Sequence, residues 1–229
     1  MKCATCGAGT YSNGTESSEC IACGAGKYGT VSGESSEAVA CSFCLVGYYS
    51  SFPGSTACTV TPPGSFAGSR GHSTYIDCPA GNFQTNLGAS ACVVASAGRY
   101  AGKGAAVATP CLAGKYSSEM GAASESTCEE CAVGTYSQAG ASSCSLCAAG
   151  TYTTALGQAS CKACPVGTHA GSAGSSECAV CDAGKYAPAP GATSCLECGK
   201  DTYSNAKGQS TCAVCAAVSY THLTLPTSR

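Results

Sequence analysis

The sequence predicts a small disulfide-rich fold: an elongated tandem array of short irregular β-hairpin units with little regular secondary structure. Three observations predict it. The chain carries 22 cysteines in 229 residues, a density that in a short chain marks a sulfur-crosslinked or metal-held scaffold. Nine Cys-x-x-Cys pairs recur with a period of about seventeen residues, most evenly from Cys131 through Cys144/Cys147, Cys161/Cys164, Cys178/Cys181 and Cys195/Cys198 to Cys212/Cys215. A fixed internal period is the mark of a repeat architecture. Glycines then stand at constant offsets inside each period, which suggests backbone positions with positive φ or close approach to another strand.

The elements follow in order within a unit. With a and b the first and second cysteines of a pair, Gly comes three residues after b, as at Gly9, Gly26, Gly47, Gly134 and Gly167. An aromatic comes two residues later, as at Tyr11, Tyr28, Phe66, Phe83, Tyr100, Tyr136 and Tyr152. A second Gly stands four residues before the next a, as at Gly54, Gly71, Gly88, Gly140 and Gly157. The expected unit is a short extended piece around Gly-x-Tyr-Ser, a Gly/Ser turn, and a short return to the next cysteine. It holds too few residues for a useful helix. The aromatic is expected to cover the unit's own bridge and the neighbouring turn, the only sizeable apolar contact available.

Where the array decays, it decays in matched positions. The register places a b at Thr61 and an a at Tyr75, then a b at Ala95 and an a at Ala108, and all four cysteines are missing. Paired loss is expected if each b bonds the next a, because a bridge must vanish whole or leave a stray thiol. The expected bridges are Cys6 to Cys20, Cys23 to Cys41, Cys44 to Cys58, Cys78 to Cys92, Cys111 to Cys128, Cys131 to Cys144, Cys147 to Cys161, Cys164 to Cys178, Cys181 to Cys195 and Cys198 to Cys212. Cys3 and Cys215 are left over, one at each end, as in a window cut from a longer array. Two other connectivities stand beside this one. A ladder joining a to a and b to b strands Cys58, Cys78, Cys92 and Cys111, whereas a nested scheme with Cys58 to Cys78 outside a lost inner pair leaves no orphan. A closed loop of about 15 residues is worth roughly 3 kcal/mol in the chain-entropy model. Each unit is therefore expected to be rigid near its bridge and loose at its tip.

Composition closes off several functions. There is no Trp, only four Phe, two Met, two Ile and eight Leu, so much of the 44% hydrophobic fraction is Ala and Cys. A conventional core is excluded, and stability has to come from local crosslinks. Net charge is −2 and the eleven Lys and Arg are scattered singly, which leaves nucleic acid no electrostatic footprint. No apolar run is long enough to span a membrane, and Met1-Lys2-Cys3-Ala4 offers no secretory leader. Dense disulfides normally require export, so the chain reads as a fragment of a surface or secreted protein whose leader and any anchor lie outside it.

The same cysteines suit other chemistries. Cys-x2-Cys-x13-Cys-x2-Cys is near the spacing of structural zinc sites, and an intracellular thiolate-rich zinc binder is the alternative reading; the lone Cys58 and Cys78 would be a useless two-ligand remnant. Redox catalysis needs one reactive motif on a strand-to-helix turn, and nine equivalent copies on a Gly/Ser-rich chain lack that setting. His169 occupies the aromatic slot of its unit, His72 a Gly-rich turn and His222 the terminal stretch, which reads as packing or surface use. Glu129 and Glu130 read as a solvated pair without calcium-loop spacing. The Tyr series reads as structural filling ahead of a ligand-binding stripe. Asn13-Gly14-Thr15 is a glycosylation acceptor triplet on an expected turn. No catalytic residue, metal ligand or cofactor site is expected.

After Cys215 the texture changes. Val218 to Thr227 carries no unit feature beyond one Tyr and resembles the translation of a sequencing-library adaptor, so residues 217–229 are set apart from the array at 1–216 as an adaptor-derived or disordered tail.

The run Cys131-Ala-Val-Gly134-Thr-Tyr136-Ser137 through Gly140-Ala-Ser-Ser-Cys144-Ser-Leu-Cys147 resembles the ephrin-receptor-like cysteine-rich repeat, within the wider growth-factor-receptor cysteine-rich group. Its b-to-next-a loop also resembles the first module type of tumour-necrosis-factor receptors. The resemblance spans residues 3–216 and departs at Thr61, Tyr75, Ala95, Ala108 and at Asp201, where Gly is expected. It implies a non-enzymatic extracellular stalk or recognition module with an unidentified protein or glycan ligand. It does not imply kinase activity, since no Gly-rich loop with a following lysine and no catalytic-loop motif occurs.

Overall fold

The computed structural model describes residues 5–13 and 19–216; Cys3, Gly14, Thr15, His222 and the stretch 217–229 lie outside them. The described residues form twelve antiparallel hairpins, each made of two strands of two residues, and no larger sheet. Helix is confined to one α-turn, Glu37–Ala40, and one 3-10 turn, Glu125–Thr127. Both lie in the longest disulfide loops, Cys23 to Cys41 and Cys111 to Cys128, with sequence separations of 18 and 17. The extra residues of those loops are coiled locally and leave the hairpins in register.

Ten disulfides close the loops: Cys6–Cys20, Cys23–Cys41, Cys44–Cys58, Cys78–Cys92, Cys111–Cys128, Cys131–Cys144, Cys147–Cys161, Cys164–Cys178, Cys181–Cys195 and Cys198–Cys212. Cys215 carries a free, exposed thiol. The chain divides into two compact units, Met1–Glu130 with Gln138–Ser143, and Cys131–Ser137 with Cys144–Arg229.

Hairpin placement differs in one respect from the sequence expectation. The first strand does lie just after the b-side glycine, as Thr10–Tyr11 and Thr151–Tyr152. The second strand, however, is the pair of residues inside the Cys-x-x-Cys motif, Ile21–Ala22 and Lys162–Ala163, in the register Tyr11↔Ile21 and Tyr152↔Lys162. The return therefore runs through the cysteine and ends at the following b. A bridge and a two-residue ladder brace ten of the twelve loops from adjacent positions, which lets so short a hairpin persist where an isolated one would be marginal.

Successive repeats are joined by main-chain hydrogen bonds, the accounting that buried peptide groups demand. Within the second unit, Gly150 N–H donates to the Ala170 carbonyl at 2.7 Å, Cys164 N–H to Gly150 at 2.9 Å, Gly174 N–H to Cys147 at 2.8 Å, and Thr153 N–H to Ser175 at 3.4 Å. The first unit repeats the pattern one register at a time, with Gly47 to Ala67, Thr61 to Gly47, Gly71 to Cys44 and Ser50 to His72. The bonds at Thr61 need no cysteine, so a repeat that has lost its bridge keeps its place.

Two glycines make the stacking possible. Gly47 has φ +81°, and a Cβ there would fall inside the carbonyl of Gly88, two repeats onward. On its other face Gly88 receives the Val60 side chain, whose Cγ2 lies 3.2 Å from where a Cβ would stand. The second glycine is thus held between a glycine backbone and a strand side chain. At Asp201, the position where the pattern calls for Gly, the backbone keeps φ +60°, the sole non-glycine with positive φ among the described residues. Its carbonyl still accepts from Cys215 N–H at 2.9 Å.

Candidate functional site

The interior is a row of small side chains, and the two ends of most bridges sit in it unequally. Eight b cysteines are sealed: Cys23, Cys44, Cys78, Cys111, Cys131, Cys147, Cys164 and Cys181 are 0% exposed. Six of their partners, Cys58, Cys92, Cys144, Cys161, Cys178 and Cys195, are half-buried, while Cys41 and Cys128, at the ends of the two longest loops, are buried. A second buried slot, six residues after b, holds Ser50, Ala67, Gln84, Ala101, Ser117, Ser137, Thr153, Ala170, Ala187 and Ser204. Its occupants are nearly all small, and the sequence signal for it is the Ser that so often comes after the aromatic.

This asymmetry explains what replaced the missing half-cystines. The two b positions became Thr61 and Ala95, both 0% exposed, residues small enough for a sealed slot. At the a positions Ala108 is buried, but Tyr75 is 39% exposed and can be large because its end opens to solvent. Thr61 Oγ1 is buried without a hydrogen-bond partner, so the hydroxyl is carried at a desolvation cost of about 1–3 kcal/mol.

The aromatic slot faces the next repeat, a correction to the sequence expectation that it covers its own bridge. Tyr11 packs on Cys23 and Cys41, the bridge one repeat onward. Where that bridge is lost, the aromatic fills the space: Phe83 packs on Ala95, Ala101 and Ala108, and Tyr49 meets Tyr75 edge-on, with centroids 5.4 Å apart. The direction agrees with the backbone, where the aromatic position bridges to the next loop, as Tyr49 to His72 and Phe83 to Ala105. His169 obeys the same geometry. Its Nδ1 lies 3.1 Å from Sγ of Cys195, in the bridge of the following repeat.

The outer face carries the residues inside and just after the Cys-x-x-Cys motifs. Phe43, Leu45, Val93, Val94, Leu112, Leu146, Val180 and Leu196 are all exposed, so large apolar groups recur along the strand edges while the interior holds only small ones. In the first unit a cleft beside the α-turn is lined by Lys27, Tyr28, Glu37, Phe43 and Arg70. There Lys27 Nζ pairs with Glu37 Oε1 at 2.6 Å and lies 4.6 Å from the Phe43 ring centroid, a cation–π placement.

Charges elsewhere are sparse and local. Lys207 donates to Asp182 at 2.8 Å; this hydrogen bond, then the charge attraction, holds the Asp182 carboxyl below the usual carboxylate range and lifts the Lys207 ammonium above its ordinary value. Tyr116 donates its hydroxyl to Glu129 Oε2 at 2.9 Å. That bond and the carboxylate charge raise the phenol above the usual tyrosine range. Glu129 and Glu130 are exposed strand residues opposite Tyr116 and Lys115. His72 Nε2 lies 3.1 Å from Ser69 Oγ in an exposed turn. Asn13 is exposed, while the rest of its triplet, Gly14 and Thr15, falls outside the described residues.

Among the described residues no helix is long and apolar enough to cross a membrane. A family model described as tyrosine-protein kinase ephrin type A/B receptor-like matches residues 134–181 and again 184–229. A search of curated proteins finds no match. Both matched segments begin at b-side glycines, Gly134 and Gly184.

Proposed function

We propose, from the premise that the chain carries tandem ephrin-receptor-like cysteine-rich repeats, that it is a non-enzymatic extracellular region: a spacer or recognition stalk of a larger surface or secreted protein. The observation that carries this reading is the sulfur state. Every described cysteine except Cys215 is in a disulfide, and such bonds persist in oxidising compartments. The exposed apolar residues on the strand edges supply a repeated contact surface, and a protein or glycan ligand is expected to lie along it. The array is taken to span residues 1–216, with 217–229 outside it.

Thiol counting on secreted, unreduced material tests this. The ten bridges leave two of the 22 cysteines, Cys3 and Cys215, unpaired, so two free thiols per chain and no bound metal are expected. Some twenty free thiols with co-purifying zinc would overturn the extracellular reading in favour of an intracellular zinc binder.

A further inference from the structure

We propose that Cys181–Cys195 is a thiol–disulfide exchange site, opened selectively by dithiol reductants while the other bridges hold. The proposal starts from the one repeat whose aromatic slot holds a nitrogen acid. Tyr or Phe stands in that slot at Tyr11, Tyr49 and Phe83, where it presents an apolar ring to the next repeat's bridge position. His169 presents instead a ring nitrogen, 3.1 Å from Cys195 Sγ. The nitrogen and the sulfurs of Cys181 and Cys195 all lie within 4.8 Å of one another.

Access fixes the order of events. Cys181 is 0% exposed, whereas Cys195 and His169 are half-buried, so an incoming thiolate meets Cys195 Sγ. A new bond forms between the reductant's sulfur and Cys195 Sγ, the Sγ–Sγ bond breaks, and its electron pair goes to Cys181. A thiolate released in a sealed slot is costly unless a donor or cation stands near it; the His169 imidazole, its ring nitrogen within 4.8 Å of Cys181 Sγ, passes a proton to that thiolate and regains one from solvent. The reductant's second thiol then attacks its own bonded sulfur. Cys195 leaves as a thiolate hydrogen-bonded by Nδ1–H and takes up a proton, and the reductant departs as an intramolecular disulfide. Two electrons and two protons have passed from the dithiol to the bridge. Exchange is faster from a better leaving thiolate, and this bridge has a side-chain nitrogen against its sulfur.

Differential alkylation of the folded chain tests the site. The protein is exposed to limiting dithiothreitol without denaturant, its thiols are capped, and each bridge is followed by peptide mass spectrometry. Cys181 and Cys195 are expected to be capped about ten-fold faster than the two preceding pairs, Cys164–Cys178 and Cys147–Cys161. H169Y restores the residue most repeats use, and should bring Cys181–Cys195 to the rate of its neighbours while the other nine bridges stay intact in the same spectra. Equal opening of the three pairs in the native chain, or a preference that survives H169Y, overturns the proposal.

Discussion

At single positions the chemistry is decided by which slot a residue occupies, and Tyr116 shows this with a titration. Its hydroxyl donates to the Glu129 carboxylate, so the protonated phenol is the favoured form and its folded value lies above the unfolded one. The contact's contribution is therefore fully present below the ordinary tyrosine range and is lost as pH rises through the raised value. Glu129→Gln should return the Tyr116 ring to ordinary tyrosine behaviour in an NMR-followed pH titration; an unchanged titration would remove the carboxylate as the cause. Both groups are exposed, so no measurable change in overall stability is expected near neutral pH.

The periodicity of cysteine and glycine makes the hairpin repeat legible in the sequence, because bridges and positive-φ positions restrict residue type so severely. The direction of the aromatic is not legible there: Tyr11 lies nearer in sequence to its own bridge, Cys6–Cys20, yet packs on the next, Cys23–Cys41, and only the stacking decides. The buried slot at Ser50, Ala67 and Thr153 is half-visible, since Ser, Ala and Thr are also ordinary loop residues. In sequence His169 reads as a neutral stand-in for Tyr, and its contact with Cys195 depends on a neighbour 26 residues away.

At the level of the hairpin, the glycines separate two costs that usually arrive together. Gly167 and Gly184 share nearly the same backbone, φ +77° and +80°. A Cβ on Gly167 would strike the Gly208 carbonyl, whereas one on Gly184 would meet nothing within 4 Å. Gly184→Ala should therefore cost only the left-handed backbone penalty of about 1–2 kcal/mol, while Gly167→Ala adds a clash with main chain and should cost clearly more. Hydrogen exchange of the amides of Cys181 and Gly208, which bond to Gly167 and Cys181 carbonyls, reads the difference. Equal loss of protection in both variants would show that the interlock does not hold the repeats.

Across the whole chain, stability is a sum of local terms, as in repeat proteins generally. Deleting one bridge with Cys147→Ser and Cys161→Ser should cost roughly 3 kcal/mol and raise exchange mainly in residues 148–160. The hairpin register beyond should persist, because Thr61 and Ala95 already hold their places without a bridge, their N–H groups donating to Gly47 and Gly81 and their carbonyls accepting from Gly88 and Gly121. Loss of protection throughout the second compact unit would instead show a single cooperative block. Denaturant profiles of the intact protein should accordingly broaden, with different repeats reporting different midpoints.

The reach of Gly47 to Gly88, past the intervening loop, also sets a timetable for biosynthesis. A bead emerging from the ribosome can close its own sulfur link early, but its flank is only partly covered by the next bead and stays incomplete until the second bead after it has been translated. Maturation thus trails elongation by about two periods, and a cassette shorter than three beads contains no complete interlock at all.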